Sequence, residues 1–520
     1  MADPARTRLP IVSRSSPDDV LLSSTSHEVV FAIVGYAGAG PGWVAAQLSG
    51  QLQTHGFTPI RIKLSTLIQT AAKHRSRPGA SSAGEGLQRM RSLQDAGASL
   101  RGGQTGSITA ALAIKEIRAK RKEAGEQSNP FAFVIDQLKH PSEVELLRRV
   151  YGNSFYLLSV ICRKETRRRR LRMKFKVAAS DTTGMKEIDD LTDRDEADDA
   201  REGQQVRKTL HLGDFFIDND VDNPPEDADQ LADNLSRIMD IITGKRVVRP
   251  TRDERGMHAA WNASFRSACL SRQVGAAIMD VDGTIIAVGT NDAPKAGGGL
   301  YEEGSSPDKR CTTHGGYCRN DTTKEQLYEQ IYDRLSQAKL LTAEVSAQQV
   351  RACVEESGVR DLIEFSRAVH AEMDAIISLA RTGRGSAKRA VLFCTTYPCH
   401  SCARHIIASG IDEVVYIEPY PKSRTEELHD DAMVDTSKAM ASGSQDRIKE
   451  PHRVRFRLFS GVAPRRFAAL FEKRDELKSK GHQVAPPEGA RHKDPVLDKS
   501  FLELEEKIAG IADEWNVKEV

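Results

Sequence analysis

The chain has 520 residues, with 75 Lys and Arg against 73 Asp and Glu and a formal charge of +2. That length allows two or three domains with cores of their own, and the charge balance excludes a basic nucleic-acid coat over the whole chain, leaving only local patches. No apolar run approaches the ~18 residues that span a bilayer, and "MADPARTRLPIVSRSS" lacks the apolar centre of a secretory signal, so residues 1–26 are expected to be a flexible tail of a cytoplasmic protein with no membrane partner.

A first domain is expected over 27–245. "EVVFAIVGYAGAGPGW" carries an apolar, β-branched run into a glycine-rich turn and then a helix with Val44, Leu48 and Leu52 on one face. "FAFVIDQL", "SFYLLSVIC" and the weaker "DFFIDND" supply further strands. Strands separated by helical stretches predict an α/β domain with a mostly parallel sheet. Gly35 and Gly40 have the GxxxxG spacing of a phosphate-cradling turn, so they are candidate nucleotide-binding positions. Pro41 and Gly42 stand where a phosphoryl-transferring loop has Lys and Ser/Thr, which removes a main charge partner for that chemistry. A bare glycine turn is the alternative. Asp136, at a strand end, is a candidate magnesium holder through water, or simply a turn residue.

"RKETRRRRLRMKFK" followed by "DDLTDRDEADDARE" sets opposite charge blocks side by side, the pattern of a solvated helical lid, with phosphate or RNA contact as the other reading of the arginines. "ITGKRVVRPTRDERG" reads as the interdomain connection.

A second domain is expected over 250–475. It begins with a helix, a strand, a "DVDG" turn and a second strand, then a polar, glycine-rich insertion over about 296–359. Cys311, His314 and Cys318 lie within eight residues of that insertion and are candidate ligands of a second, structural zinc, although a closed site needs a fourth donor. The eight cysteines cluster rather than forming a ladder, which points to metal binding or catalysis over crosslinks. Cys162, Cys269, Cys353 and Cys394 read as small buried residues. Residues 476–520 are expected to be a tail with one amphipathic helix.

The chemistry concentrates in "FSRAVHAEMDAI" and "TTYPCHSCAR". His370, Cys399 and Cys402, each at the start of a predicted helix, make three ligands for zinc and leave a fourth tetrahedral position for water. Zinc lowers that water's pKa toward neutrality, and Glu372, two residues from the histidine, is placed to shuttle protons. His-x-Glu followed by Pro-Cys-x-x-Cys is the signature of zinc deaminases that hydrolyse the amines of cytosine or adenine.

Over about 257–467 the chain resembles the cytidine/deoxycytidylate deaminase superfamily. "SRQVGAAI", "GTNDAP" and "HAEMDAI" look like its deoxycytidylate branch, with Asp374 where that branch commonly has Asn. An exposed or helix-capping Asp374 is the plain expectation. The resemblance implies Asn291 as a contact to the substrate sugar and Arg272 as a phosphate contact. "LKHPSEVELLRRVYG" and the arginine-rich lid are similar to nucleotide-kinase-like P-loop proteins. The combination, an α/β P-loop-like domain fused to an α/β/α deaminase domain, resembles the bacterial anti-phage dCTP deaminases. That implies dCTP and dCMP as substrates, a regulatory nucleotide at the N-terminal domain, a restraining small RNA and a homo-oligomer. A base editor of single-stranded nucleic acid, or a nucleotide- or RNA-sensing regulator with a vestigial site, are the competing readings.

Overall fold

The computed structural model describes residues 21, 23–75, 86–102, 106–125, 129–198, 202–220, 228–342, 344–359, 362–420, 423–436, 453–473, 478–484 and 489–517. The expected N-terminal tail lies almost wholly outside the described residues. Two six-stranded sheets organise the chain, a mixed α/β architecture in which parallel pairs predominate.

In the first sheet the strand Val29–Gly35 is central, flanked by Phe131–Leu138 and then Thr58–Lys63 on one side, and by Phe155–Ile161 and Phe215–Asp218 on the other. All four pairs are parallel, and every residue of the central strand is buried. Side chains of a strand alternate in direction. Val29, Phe31 and Ile33 therefore pack with Val44, Leu48 and Leu52 of the helix Pro41–Thr54, while Val30, Ala32 and Val34 pack with Ile114 and Ile117 of the helix Ile108–Ala124. Burial on both faces explains why this strand reads as a continuous apolar run.

The second sheet runs Met433–Asp435, Val454–Leu458, Glu413–Glu418, Val391–Thr396, Gly275–Met279, Ile285–Thr290. Its first four strands pair in parallel, and the last two form the expected antiparallel hairpin beside them. The helix Arg252–Ser264 covers one face through Met257 and Ala260 against Phe393 and Ala277. The other face is covered by two helices, Ala371–Thr382 and His400–Ala408, through Ala371, Ala375, Cys402 and Ile406.

Several features depart from the sequence reading. The strand Thr58–Lys63 escaped it, as did Gly461–Val462, which returns from the second half to pair antiparallel with Phe215–Phe216 of the first sheet. The insertion contains two helices, Arg319–Gln337 and Ala347–Glu356. Cys269 is only half-buried, and Cys353 is exposed on a helix whose one buried described residue is Val350. The C-terminal helix Lys499–Val517 docks on Ile108–Ala124, where Arg121 bridges Glu28 and the fully buried Glu505. The charge blocks do form two helices, Lys164–Phe175 and Thr182–Glu196, joined by Arg168–Asp189 and Lys164–Asp193. However, Arg167 is buried, its guanidinium 4.4 Å from the Tyr36 ring centroid, so the arginine face is not wholly solvated. Among the described residues no helix is long and apolar enough to cross a membrane.

Candidate active site

His370 and Cys399 occupy the same position on two neighbouring helices. Each is the extended residue immediately before the first turn, with its carbonyl accepting the first intrahelical bonds: Asp374 N–H to His370, and Cys402 and Ala403 N–H to Cys399. The histidine helix can lie this close to the sheet because residue 289 is glycine, where a Cβ would come within 2.1 Å of the Ala371 carbonyl oxygen. On the strand side, Val369 N–H donates to the Asp292 carbonyl at 2.9 Å, and the Asp292 carboxylate accepts the N–H groups of Ala268 and Ala293. The Pro398 carbonyl, just before the first cysteine, accepts the hydroxyls of Ser423 (2.8 Å) and Thr425 (3.0 Å). Both ligand-bearing turns are thus tied down from outside their own helices.

The geometry is compact. His370 Nδ1 lies 3.4 Å from Cys399 Sγ and 3.4 Å from Cys402 Sγ, and among the described residues this is the only set of three or more His, Cys, Asp or Glu donors that converges on one point. Zinc bonds of about 2.0–2.1 Å to nitrogen and 2.3 Å to sulfur at a tetrahedral angle place N and S roughly 3.5 Å apart. One nitrogen and two sulfurs at the found spacing therefore fit three corners of a zinc tetrahedron. The Cys399 thiol is held down to about 4, first by the Cys402 thiol beside it and then, against burial, by His370. A cysteine at a helix N-terminus next to an imidazole is expected to favour thiolate. His370 is raised to about 9, chiefly by its contact with Cys399.

Glu372 is 4% exposed and borders the same cavity, of ≈ 330 Å³. Burial raises its carboxyl above the ordinary value, opposed by the neighbouring His370. Cys394, read from the sequence as a small core residue, is fully buried beside Glu372. Asn291 and Arg272 also line the cavity. The Asn291 amide donates to the Arg272 carbonyl (2.8 Å) and accepts Val274 N–H (2.7 Å), so it braces the loop that presents Arg272. Arg272 itself pairs with Glu418 at 3.2 Å. Asp374 is neither exposed nor an ordinary cap. Its carboxylate is buried and accepts Thr290 N–H at 3.0 Å, linking the histidine helix to the edge strand. Cys311 and Cys318 border the cavity, but with His314 they do not converge as a three-donor cluster.

In the first half, Gly35 ends the central strand and Gly40 precedes the helix Pro41–Thr54 in a left-handed conformation (φ 81°), where a Cβ would meet Asn219 Nδ2 at 2.6 Å. Asp136 pairs with Arg61 at 3.0 Å. Sequence reading missed Lys139 and Asp195, which reach the same turn from the end of Phe131–Leu138 and from the helix Thr182–Glu196.

Residues 250–418 match the profile of the cytidine and deoxycytidylate deaminase zinc-binding region. The deoxycytidylate deaminase of Saccharomyces cerevisiae is 25% identical over 231 residues, covering 44% of this chain and 57% of the yeast protein. That of Enterobacteria phage T2 is 43% identical over 56 residues, 11% of this chain and 29% of the phage protein. The chain therefore spans about half or less of the length of these relatives. Among solved structures, dCMP deaminase from the cyanophage S-TIM5 in apo form is matched at 16% identity and TM-score 0.21, covering 41% of this chain and 100% of that one. The second half of the chain thus contains a cytidine/deoxycytidylate deaminase domain with deoxycytidylate deaminase homologues, and its zinc-binding region includes the His-Cys-Cys cluster.

Proposed function

We propose that this domain hydrolyses the 4-amino group of deoxycytidine nucleotides, dCTP or dCMP, giving the deoxyuridine nucleotide and ammonia. One observation carries the reading: a buried carboxylate, Glu372, borders the same cavity as His370 and Cys399, two members of the converged His370, Cys399 and Cys402 cluster. Those three side chains would hold zinc and leave one corner open. When bound there, zinc supplies the Lewis acidity that brings a water's pKa toward about 7. Glu372 is placed to take a proton from the attacking water as C4 gains its oxygen, and to give that proton to N3 of the pyrimidine. The same carboxylate then takes the remaining proton of the C4 hydroxyl and passes it to the amino group, so that C4=O forms as the C4–N bond breaks and ammonia leaves. Burial raises the Glu372 carboxyl, the direction that lets a carboxylate hold a proton as well as take one. Arg272, in the cavity wall, suits a 5′-phosphate.

We read the biological role, by resemblance to anti-phage dCTP deaminases, as depletion of deoxycytidine nucleotides during infection. In that reading a nucleotide held near Gly35 and Gly40 regulates the deaminase, a small RNA restrains it and the chain works as a homo-oligomer. Support for the nucleotide comes from the ≈ 810 Å³ cavity beside the glycine-rich turn.

Ammonia release from dCTP, dCMP, CTP and single-stranded DNA tests the chemistry, with the wild type beside Glu372→Ala. We expect turnover of deoxycytidine nucleotides by the wild type, and zinc-bound but inactive Glu372→Ala. Activity confined to single-stranded DNA would turn the reading to a base editor. Zinc-loaded wild type with no activity on any substrate would turn it to a vestigial site.

A further inference from the structure

The cavity beside the glycine-rich turn lies where the strands Val29–Gly35 and Phe131–Leu138 end. Four cationic side chains, Arg89, Lys139, Arg170 and Lys174, share its wall with two acids, Asp136 and Asp195. Asp136 is paired with Arg61 outside the turn. Asp195 is different: it is 1% exposed, and its two oxygens accept from Ala37 N–H at 2.7 Å and from Lys139 Nζ at 2.8 Å. Ala37 stands inside the turn between Gly35 and Gly40, where the backbone N–H groups of a phosphate-holding loop meet their anion. Lys139 Nζ also lies 3.3 Å from the Gly35 carbonyl, so a lysine from beyond Asp136 reaches the turn that Pro41 leaves without one. An internal carboxylate is therefore seated at the meeting point of a backbone N–H and an ammonium.

A second observation points to a ligand there. Gln94 and Gln204, 3% and 6% exposed, belong to the same wall, and the side-chain carbonyl oxygen of each has no hydrogen-bond partner among the described residues. A buried acceptor left unmet costs about 1–3 kcal/mol. A ligand carrying N–H or O–H groups as well as an anion would satisfy both features, and a nucleoside polyphosphate has that composition.

We propose that the Asp195 carboxylate is an internal substitute for a ligand phosphate, and that a nucleoside polyphosphate entering this cavity displaces it from Ala37 N–H and Lys139. The inference rests on the regulatory-nucleotide reading above and gives it a mechanism. Asp195 lies in the last turn of the helix Thr182–Glu196, so the displacement also removes a tie of that helix. Its other ties are Ile188 packed with Ala37 and Leu171, the Gln94 amide donating to the buried Leu191 carbonyl at 3.1 Å, and the ion pairs Arg207–Glu196 and Arg194–Asp95, so the Asp195 contacts are one of several that fix its position. The nucleotide is thereby coupled to the position of the helical lid.

Zinc-loaded full-length protein, titrated calorimetrically with ATP, dTTP and inorganic tripolyphosphate, tests this, with hydrogen exchange mapping the response. Removing the competing charge in Asp195→Asn should tighten binding at least ten-fold, and Lys139→Met should weaken it by a similar factor. In the wild type, saturating ligand should slow exchange over 36–44 and speed it over 182–196, a readout that needs no variant to fold. Ligand that protects 36–44 with no faster exchange over 182–196, and equal affinity in Asp195→Asn, overturns the displacement but keeps a nucleotide site. No binding of any of the three probes to any form overturns the regulatory-nucleotide reading and this inference together, whatever the deaminase assay gives.

Discussion

Gly289 on the edge strand and Ala371 at the start of the histidine helix are in direct backbone contact, since a Cβ on residue 289 would sit 2.1 Å from the Ala371 carbonyl and 2.4 Å from the Ala375 nitrogen. Neither atom belongs to a side chain that could swing away, so Gly289→Ala must push the whole first turn of the helix, and His370 with it. Overpacking of this kind costs about 1–3 kcal/mol. The expected outcome is a folded but destabilised protein with lowered zinc content. Melting temperature and metal per chain, measured together, check it. An unchanged zinc content would mean that the helix position does not set the ligand geometry.

Metal removal separates the two candidate clusters. Structural and catalytic zinc both stabilise the folded state by mass action, by roughly 4 kcal/mol at a thousand-fold excess over Kd. Chelator should lower the melting temperature of the wild type. Cys399→Ser should have lost most of its metal beforehand and respond little. Cys311→Ser and Cys318→Ser should keep wild-type zinc content, because those thiols do not converge with His314. Loss of one equivalent of zinc in Cys318→Ser would show that the insertion does hold a metal.

What could be read from the sequence follows from how local each feature is. His370, Glu372, Cys399 and Cys402 declare themselves because two helix N-termini fix short spacings, and helix geometry turns spacing into direction. The buried strand Val29–Gly35 is legible because both faces are covered. Thr58–Lys63 is not: it is a sheet-edge strand with Pro59 and two exposed cations, Arg61 and Lys63, and a single fully buried side chain. Asp195 and Lys139 lie 56 residues apart and meet only through the sheet. The same holds for Glu505, which reaches Arg121 from 384 residues away. Such pairs carry no local pattern.

Asp374 illustrates a position where family expectation and geometry can be compared. Its carboxylate accepts the buried Thr290 N–H, and burial raises the carboxyl. An asparagine offers the same acceptor without a charge to desolvate. Asp374→Asn should therefore be within about 1 kcal/mol of the wild type or slightly more stable, whereas Asp374→Ala leaves the Thr290 N–H unmet and should lose about 1–3 kcal/mol. Urea unfolding of the three proteins distinguishes these. Equal losses in the two variants would show that the charge, and not the hydrogen bond, matters at this site.

The C-terminal segment should give the fold a pH dependence of definite sign. His492 is fully buried, 2.6 Å from Tyr156 Oη, with His27, Asp494 and Arg466 as its charged or titratable neighbours. Burial holds its imidazole down to about 4 from an ordinary 6.5. Between those values the unfolded chain binds a proton that the folded one refuses, so stability rises with pH across this window. The contribution is complete above about 6.5 and is lost as pH falls toward 4, to an extent of roughly 3 kcal/mol. His492→Gln removes the titrating group while keeping a polar side chain beside Tyr156. The melting temperature of the wild type should fall more steeply from pH 6.5 to 4 than that of the variant. Parallel curves would mean that His492 is protonated in the fold and that its contact with Tyr156 survives acid.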